Sequence, residues 1–438
     1  MSRLYEPAAY GPQGACFWAD TVTPDDWPRL DGDLTVDVAV IGGGITGLNA
    51  ALHLAGRGTS LAVLEAEHPG WGASGRNGGF CCLGGSKAPA ALLNRRFGQG
   101  AAQDWAATEK AAVSHVEALI DRHGWQVDRH SQGETLLAHK PRAYRALCAE
   151  AEETAATYGV SPEVHTTDDL AARGLGGPWH GGMTLPIGFA LNPRKYHAAL
   201  ASEATATGAR LFAHSPVTGM ERVGNHWRLT TNGGTVTTQN VILATNGYSH
   251  ETLPPWLRAR TLPLQSNVIV TRPLSAAEQQ AAGWWSDQMA YDTRLLLHYF
   301  RKMPDGRFLF GMRGGLRATS GAEARLSRRI RADFARIFPA WTDVEITHEW
   351  SGLVCLMRNL VPFVGPVPDH PGLFAALGFH GNGVAMGSHA GRLAADQVLG
   401  DRPDAPNWLA TPPPRFLLGR RRRLLMAPAY LMAEAFDL

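Results

Sequence analysis

A glycine-rich segment near the start of the chain constrains the fold most. Its sequence, VDVAVIGGGITGL, runs from Val36 to Leu48. The apolar, β-branched first half is typical of a buried parallel strand. Gly42, Gly44 and Gly47 follow with G-x-G-x-x-G spacing. In a dinucleotide-binding βαβ unit such glycines permit a tight turn, the approach of a pyrophosphate and close packing of helix on strand.

The residues that follow complete the βαβ unit. Residues 48–57 favour a helix, Gly58 is a stop signal, and residues 60–64 favour a second strand. That strand ends at Glu65, 18 positions after Gly47, where a carboxylate is expected to bind a ribose hydroxyl. An acid at this position argues against a 2′-phosphate and therefore against NADP. The alternative is a glycine-rich turn without a ligand, since a chain with 49 glycines contains such spacings by chance.

A second glycine-rich segment, GWGASGRNGG, runs from Gly70 to Gly79. A loop so rich in Gly, Ser and Asn exposes backbone N–H groups, which suits a further contact with phosphates or with a cofactor ring. A flexible surface loop is the alternative. Arg76 and Asn77 argue against it, because a linker does not need them.

Several segments together resemble the family of FAD-dependent amine and amino-acid oxidases that includes D-amino-acid oxidase, glycine oxidase and monomeric sarcosine oxidase. The first two are VIGGGITGLNAALHLAGRG and LEAEHPGWGASGRNGG. The resemblance recurs in residues 181–193, 241–247, 350–365 and 377–385, and so covers most of the chain. It is closest to the branch around gamma-glutamylputrescine oxidase, whose members carry a G-A-S-G-R-N-G-G segment.

The resemblance implies an α/β fold. A Rossmann-type FAD-binding domain of the glutathione-reductase-like kind is joined to a second, α+β substrate domain built on a mainly antiparallel sheet. The predicted division is an N-terminal arm (1–32), a discontinuous FAD-binding domain (33–90, 185–250 and 350–400), a substrate domain (91–184 and 251–349) and a basic-hydrophobic tail (401–438).

The resemblance also implies which residues contact FAD. Backbone amides in the late segment from Gly378 to Ala385 would reach the pyrimidine side of the flavin ring, where donors stabilise the negative charge that develops on reduction. The predicted contacts are Ile41, Gly42, Gly44, Ile45, Thr46, Gly47, Glu65, Ala66, Gly72, Ala73, Ser74, Arg76, Asn77, Gly78, Gly79, Val217, Ala244, Thr245, Gly247, Gly378, His380, Gly381, Asn382, Gly383, Val384 and Ala385.

The implied activity is oxidation of a primary or secondary amine of the gamma-glutamylputrescine kind. A hydride passes from the carbon next to nitrogen to flavin N5, water hydrolyses the imine, and O2 reoxidises the flavin to give hydrogen peroxide. The alternative is an oxidase or dehydrogenase of glycine, sarcosine or a D-amino acid. A third class, a flavin-bearing binding or tRNA-modifying protein, finds little support, because a net charge of +2 gives no case for a nucleic-acid partner.

Three residues are candidates for contact with the substrate. His380 is a catalytic candidate, although a lone histidine can equally hydrogen-bond a backbone carbonyl. Trp350 and Arg358 are candidates for substrate binding. Aromatic walls would help the site to bind a neutral amine, and candidates for such walls are Trp284, Trp285, Tyr291, Tyr299 and Trp350.

One departure from the family bears on the substrate. Sarcosine oxidases place a lysine where this chain has Ala385, and that lysine helps to hold the substrate carboxylate. Its loss favours an amine without an α-carboxylate, unless another cation such as Arg76, Arg313 or Arg358 replaces it.

The cysteines predict no disulfide or metal site. They number five, an odd count without metal-ligand spacing, which favours reduced thiols in a cytoplasmic protein. The N-terminus lacks the apolar region of a secretory signal, and no apolar run approaches the ~18 residues of a spanning helix. Cys355 could attach FAD covalently, as in some sarcosine oxidases, but a buried structural thiol is the favoured interpretation.

The C-terminal tail is both basic and apolar. Its residues 415–426 read RFLLGRRRRLLM. Such a segment can lie on an anionic membrane surface, or it can pack its Leu, Met and Phe side chains on the body while the arginines stay in water. The second interpretation is favoured from the sequence.

Overall fold

The computed structural model of the protein describes residues 3–10, 15–23 and 26–437. The helices are α1 (Ile45–Gly56), α2 (Ala90–Phe97), α3 (Ala101–His123), α4 (Pro141–Tyr158), α5 (Thr167–Ala172), α6 (Pro193–Ala206), α7 (Ala276–Ala281), α8 (Ser320–Ile337), α9 (Ala385–Leu399) and α10 (Met426–Asp437). The strands are β1 (Leu34–Ile41), β2 (Leu61–Leu64), β3 (Phe80–Cys81), β4 (Glu134–Leu137), β5 (Glu163–His165), β6 (Gly182–Leu185), β7 (Phe189–Ala190), β8 (Arg210–Phe212), β9 (Gly219–Val223), β10 (His226–Thr230), β11 (Thr235–Leu243), β12 (Thr261–Thr271), β13 (Met289–Asp292), β14 (His298–Lys302), β15 (Phe308–Arg313), β16 (Ile346–Met357), β17 (Phe363–Pro366) and β18 (Leu373–Leu377).

The first eight-stranded sheet contains the predicted βαβ unit. Its order is β17-β18-β11-β1-β2-β8, and β10 and β9 extend it antiparallel from β11. β1 pairs parallel with β2 and β11, and β18 is parallel to β11. Val38, Val40 and Leu48 are fully buried between the sheet and α1, which explains the continuous apolar run of the sequence.

The second eight-stranded sheet is mainly antiparallel. Its order is β16-β12-β15-β14-β13-β4-β6-β5, and within it β13 and β4 pair parallel. The predicted combination of a parallel-sheet nucleotide fold and a mainly antiparallel second sheet is therefore confirmed. β16 belongs to the second sheet as far as Met357, so the predicted boundary at residue 350 falls inside a strand.

Local sequence signals account for several element ends. Asn192 caps α6, because its side-chain oxygen accepts hydrogen bonds from the backbone N–H groups of Arg194 and Lys195. An Asn-Gly turn at 232–233 joins β10 to β11, and an Asp-Gly turn at 305–306 joins β14 to β15.

The C-terminal tail corrects the expectation that its apolar side chains pack on the body. Arg422 is fully buried, where its guanidinium pairs with Glu251 and donates to the carbonyl of Thr261 at 2.7 Å. Seven large apolar side chains of the tail are instead exposed: Leu417, Leu418, Leu424, Leu425, Leu431, Met432 and Phe436. The buried Glu251 carboxylate accounts for the burial of Arg422, because an unpaired charge there would be strongly destabilising.

Candidate active site

A cavity of about 590 Å³ lies between the two large sheets. Its volume falls in the range typical of cofactor and small-molecule sites, roughly 300–1,000 Å³. Ile41, Leu64 and Leu243, at the ends of β1, β2 and β11, line it from the first sheet. Tyr299 and Arg313 line it from the second sheet. Ligands of open parallel sheets bind outside these carboxyl ends of the strands.

The glycines at the end of β1 bring backbone close to backbone. Gly42 has a φ of +106°, and a Cβ there would lie 2.9 Å from the carbonyl oxygen of Ala244. A Cβ on Gly47 would lie 2.0 Å from the carbonyl oxygen of Gly42. α1 therefore begins against the strand end with its N-terminus toward the cavity, an arrangement that favours an anionic group such as a pyrophosphate.

Glu65 lines the cavity at the end of β2 and is held in place by backbone donors. Its Oε2 accepts from the N–H of Gly43 at 2.8 Å, and its Oε1 accepts from the N–H of Glu67 at 3.0 Å. Burial raises the pKa of this carboxyl. The side chain is thus fixed at the position predicted for the ribose contact.

The second glycine-rich segment meets α1 at its N-terminus. The N–H of Ile45 donates to Ser74 Oγ at 2.9 Å, and a Cβ on Gly44 would lie 2.7 Å from the same oxygen. Asn77 closes the loop on itself, accepting from the N–H of Gly79 at 2.8 Å and donating to the carbonyl of Ala73 at 3.1 Å. These bonds hold the loop in one conformation, in contrast to the flexible surface loop that was the alternative prediction.

Arg76 provides the cationic group of this loop. It is 8% exposed and its guanidinium lies 4.7 Å from the ring centre of Trp71. Its buried Nη1 has no hydrogen-bond partner among the described residues. A buried, unsatisfied cationic donor on the cavity wall fits an anionic ligand group, because such a donor is costly to leave unpaired. The glycine approach, the helix N-terminus and Arg76 therefore fit the predicted FAD.

Trp350 holds this loop from behind. Its indole N–H donates to the carbonyl of Arg76 at 2.8 Å, and the side chain is 3% exposed and does not line the cavity. Arg358 is also away from the cavity, because it is exposed and donates to the carbonyl of Arg415 at 2.9 Å. The expectation that Trp350 and Arg358 contact the substrate is therefore corrected.

His380 is part of the framework and does not line the cavity. Its ring is fully buried, with Nδ1 2.8 Å from the carbonyl oxygen of Gly85 and Nε2 accepting from the N–H of Met357 at 3.1 Å. Burial lowers its pKa to about 4, so the ring is neutral. The catalytic role predicted for His380 is corrected, because both ring nitrogens already bind the backbone.

The rest of the late segment does form cavity wall. Gly381, Asn382, Gly383 and Val384 line the cavity immediately before α9. Other predicted FAD contacts lie in the surrounding packing and not on the cavity wall: Gly47, Gly79, Gly247, Gly378 and Ala385. The remaining predicted contacts line the cavity: Ile41, Gly42, Gly44, Ile45, Thr46, Glu65, Ala66, Gly72, Ala73, Ser74, Arg76, Asn77, Gly78, Val217, Ala244 and Thr245.

The part of the cavity lined by the second sheet carries two cations. Arg313 stands beside the late loop, where a Cβ on Gly381 would lie 2.5 Å from its Nη2, and burial lowers its pKa. Lys87 also lines the cavity, where its side chain is exposed, and partial desolvation by the surrounding protein together with the nearby Arg313 lowers its pKa to about 8. Both side chains are available to a negatively charged group of a ligand.

Aromatic and apolar side chains surround these cations. Tyr291 and Tyr299 line the cavity, and the hydroxyl of Tyr299 pairs with Ser266 Oγ at 2.9 Å. Trp284 and Trp285, two other predicted wall residues, do not line it. Trp284 is fully buried among phenylalanines of the second sheet.

Two buried carboxyl groups lie behind this wall. Burial raises the pKa of Glu134 to about 8 and that of Glu109 to about 7. Glu109 accepts a hydrogen bond from Tyr158, and Glu134 lies beside Tyr291. Below these pKa values the carboxyl groups are neutral, so they do not supply a counter-charge for an ammonium group.

The sequence interpretation missed several cavity residues, among them Lys87, Asn246 and Tyr248. Lys87 follows the second glycine-rich segment closely, in CCLGGSK, and this proximity was the available signal. Tyr248 offered no comparable signal, since one tyrosine after a strand has no distinctive pattern. Among the described residues, no group of three or more His, Cys, Asp or Glu is placed to hold a metal ion.

No described helix is both long enough and apolar enough to cross a membrane. The family described as "DAO: FAD dependent oxidoreductase" matches residues 37–397. A probable oxidoreductase OrdL of Rhizobium meliloti is 30% identical over 87% of this chain and 88% of its own length. The gamma-glutamylputrescine oxidoreductase of Escherichia coli is 28% identical over 85% of each chain. The crystal structure of glycine oxidase from Geobacillus kaustophilus superposes with a TM-score of 0.68 at 22% identity, covering 84% of this chain and 96% of that one.

Proposed function

We propose, given that this chain belongs to the DAO family of FAD-dependent oxidoreductases, that it oxidises an amine whose carboxylate is remote from the reacting nitrogen. Gamma-glutamylputrescine is such a compound, with a primary amine at one end and an amino-acid group at the other. The observation that carries the proposal is the presence of Lys87 and Arg313 on the wall of the cavity that also contains the glycine-rich segments.

FAD, when bound, supplies the two-electron acceptor for oxidation of a C–N bond to an imine. The residues that would hold it are the backbone at Gly42 and Gly44, the carboxylate of Glu65, the guanidinium of Arg76 and the loop that begins at Gly381. The loop amides would face the charge that develops on the ring, and α1 would face the pyrophosphate. O2 is the proposed final acceptor.

The two cations would serve both to bind the carboxylate and to select the neutral amine. Arg313 and Lys87 attract a carboxylate and repel an ammonium group. Glu134, with a pKa of about 8, is mostly protonated at pH 7 and does not offset that repulsion, whereas Glu109, with a pKa of about 7, offsets it only in part. An alkyl amine has a pKa near 10, so binding it neutral at pH 7 costs about 4 kcal/mol. Accordingly kcat/KM should rise with pH as the substrate amine loses its proton.

The place of the carboxylate separates this proposal from its alternative. Ala385 lacks the cation that the sarcosine-oxidase resemblance places there, and it does not line the cavity. The named relative from Escherichia coli acts, by its name, on gamma-glutamylputrescine. The second candidate function is oxidation of glycine, sarcosine or a D-amino acid. It is favoured by the same two cations, which could also hold an α-carboxylate.

The first experiment is anaerobic bleaching of the flavin absorption of the FAD-loaded protein by matched amines. Gamma-glutamylputrescine and putrescine both present a primary amine on a four-carbon chain. Gamma-glutamylputrescine carries its carboxylate in the glutamyl group, whereas putrescine carries a second amine in place of that group. We expect the first to reduce the flavin with a kcat/KM roughly 10- to 150-fold higher, the effect of one charge-assisted hydrogen bond. Equal rates for the two amines would contradict the role given to the cations.

Glycine, sarcosine and D-alanine complete the panel. If only these α-amino acids bleach the flavin, the second candidate function replaces the first. Peroxide is then measured in air with the best substrate, and we expect one equivalent for each amine oxidised. Turnover with a dye acceptor but without peroxide would identify a dehydrogenase instead of an oxidase.

A further inference from the structure

The most unusual surface of the molecule lies in its C-terminal segment. Within the described residues, eleven large apolar side chains are markedly exposed, and seven of them lie between residues 417 and 436. Of these seven, the most exposed are Leu431 at 68% and Leu417 at 61%. Isolated exposed apolar residues are ordinary, but such a concentration marks an interaction surface.

Arginines interrupt this apolar surface. Arg415, Arg420 and Arg421 are exposed between the leucines. Lys140 and Arg142 lie beside its far end, because both donate to the backbone carbonyl of Phe436. The combination of exposed leucines, a methionine and a phenylalanine with basic side chains is complementary to the interface of a bilayer that contains anionic lipids.

The segment is fastened to the body by separate residues. Arg422 pairs with the buried Glu251, and Arg423 pairs with Glu6 at 2.8 Å. At the far end, Asp437 accepts from the N–H groups of Leu295 and Leu296 at 3.0 and 3.2 Å. The exposed leucines and arginines therefore take no part in these attachments and are free to contact another surface.

We propose that residues 415–436 form a membrane-docking surface that places the protein on an anionic bilayer without crossing it. The leucines, Met432 and Phe436 enter the boundary between head groups and acyl chains, while Arg415, Arg420 and Arg421 contact lipid phosphates. The surface lies close to the substrate-binding part of the cavity, since Tyr430 of α10 lies near Arg313, and Leu297, next to the Asp437 contact, lines the cavity. Docking therefore holds the catalytic cavity near the membrane surface.

A second copy of the chain is a less suitable occupant of this surface. In a two-fold dimer the same patch faces itself. Arg415, Arg420 and Arg421 of one copy would then face the same cations of the other. Glu251 and Glu6 would offer no counter-charge, because they already pair with Arg422 and Arg423. Anionic lipid head groups supply the missing negative charge, whereas a self-interface does not.

The test is sedimentation of the full-length, FAD-loaded protein with vesicles. One set contains phosphatidylcholine alone and the other an equal mixture of phosphatidylcholine and phosphatidylglycerol. We expect binding to the anionic vesicles that weakens as salt is raised. The double substitution Arg420→Ala/Arg421→Ala should weaken partitioning onto the anionic vesicles about thirtyfold, because each Lys or Arg near an anionic surface contributes about 1 kcal/mol. Leu417→Ser/Leu424→Ser should weaken it at least as much.

Each variant has a control with the same change of charge or apolar area. Arg29→Ala/Arg95→Ala removes two exposed arginines elsewhere, and Val164→Ser/Val223→Ser removes two exposed valines. These controls should bind vesicles like the unaltered protein. Visible flavin absorption confirms that every variant is folded.

Three outcomes would overturn the proposal. The first is failure of the protein to sediment with anionic vesicles, and the second is a loss of binding in the control variants as large as that in the tail variants. The third is a dimer in analytical ultracentrifugation that Leu417→Ser/Leu424→Ser converts to a monomer while no vesicle binding is found. That result would assign the surface to contact between copies.

Discussion

The glycine-rich part of the cavity and its cation-bearing part are built in different ways. The first is formed by backbone at the ends of β1, β2 and β11, together with the loop that Ser74 joins to α1. The second is formed by side chains, above all those of Lys87 and Arg313, which are far apart in the sequence. A cofactor common to a family can be held by backbone, whereas the choice of substrate depends on individual side chains.

Mutations in the two parts of the cavity should have different effects. A change in the glycine-rich part should affect binding of the cofactor and the packing of the first sheet. A change in the cation-bearing part should alter substrate choice while the cofactor stays bound.

Gly47→Ala should abolish most flavin binding. A Cβ there would lie 2.0 Å from the carbonyl oxygen of Gly42, so α1 must move away from β1, at a cost of about 1–3 kcal/mol in the free energy of unfolding. The ratio of flavin to protein absorbance after purification measures the effect, and we expect it to fall to about a tenth or less.

Gly56→Ala is the matched control, since it changes a glycine of the same helix that has open space around it. It should retain full flavin and change stability by less than about 1 kcal/mol. Full flavin content in Gly47→Ala would show that the helix can shift without loss of the site.

Arg313→Met should separate catalysis from cofactor binding. We expect normal flavin content but a kcat/KM for gamma-glutamylputrescine reduced by roughly 10- to 150-fold, because a charge-assisted bond to the carboxylate is lost. The rate with putrescine should change far less. Arg317→Met, four positions away and exposed, should leave both rates unchanged. An equal loss of kcat/KM with both amines would mean that Arg313 does not bind the carboxylate.

Lys87→Met should have a smaller, pH-dependent effect. Because partial desolvation and the neighbouring Arg313 lower the pKa of Lys87 to about 8, its charge attracts a carboxylate below that pH and is lost above it. The unaltered protein should therefore exceed the variant about tenfold in kcat/KM for gamma-glutamylputrescine at pH 7, and the ratio should approach one above pH 9. With putrescine the ratio should not fall with pH. A constant ratio for the carboxylated amine would argue against Lys87 as its partner.

Substitution of Cys355 should have the smallest effect on flavin content. Its thiol lines the cavity, but burial raises its pKa to about 12, so the nucleophilic thiolate is scarce. We expect the flavin to be released when the protein is precipitated with acid, and Cys355→Ala to keep normal flavin content. Flavin fluorescence that stays with the precipitate, and disappears in the variant, would establish covalent attachment.

Sequence patterns were sufficient for the backbone features of the fold. The strand, glycines, helix and acid of residues 36–65 form the predicted unit. The patterns fail where the direction of a side chain matters. His380 lies in the correct loop, yet its ring binds the backbone of Gly85 and Met357 and does not reach the cavity. Trp350 binds the carbonyl of Arg76 and does not line the cavity. The spacing of residues along a strand does not show which part of the protein covers each face of that strand.

The amino-acid sequence by itself determined the family, the parallel nucleotide-binding unit and the cofactor, because these depend on short-range spacing of glycines, apolar residues and an acid. Only the tertiary structure placed Lys87 and Arg313 on one cavity wall and buried Arg422 against Glu251 while it left the tail leucines exposed. Those outcomes depend on packing between segments that are distant in the chain. A local sequence pattern does not predict such contacts, so the proposals on substrate choice and on surface contacts depend on the folded molecule.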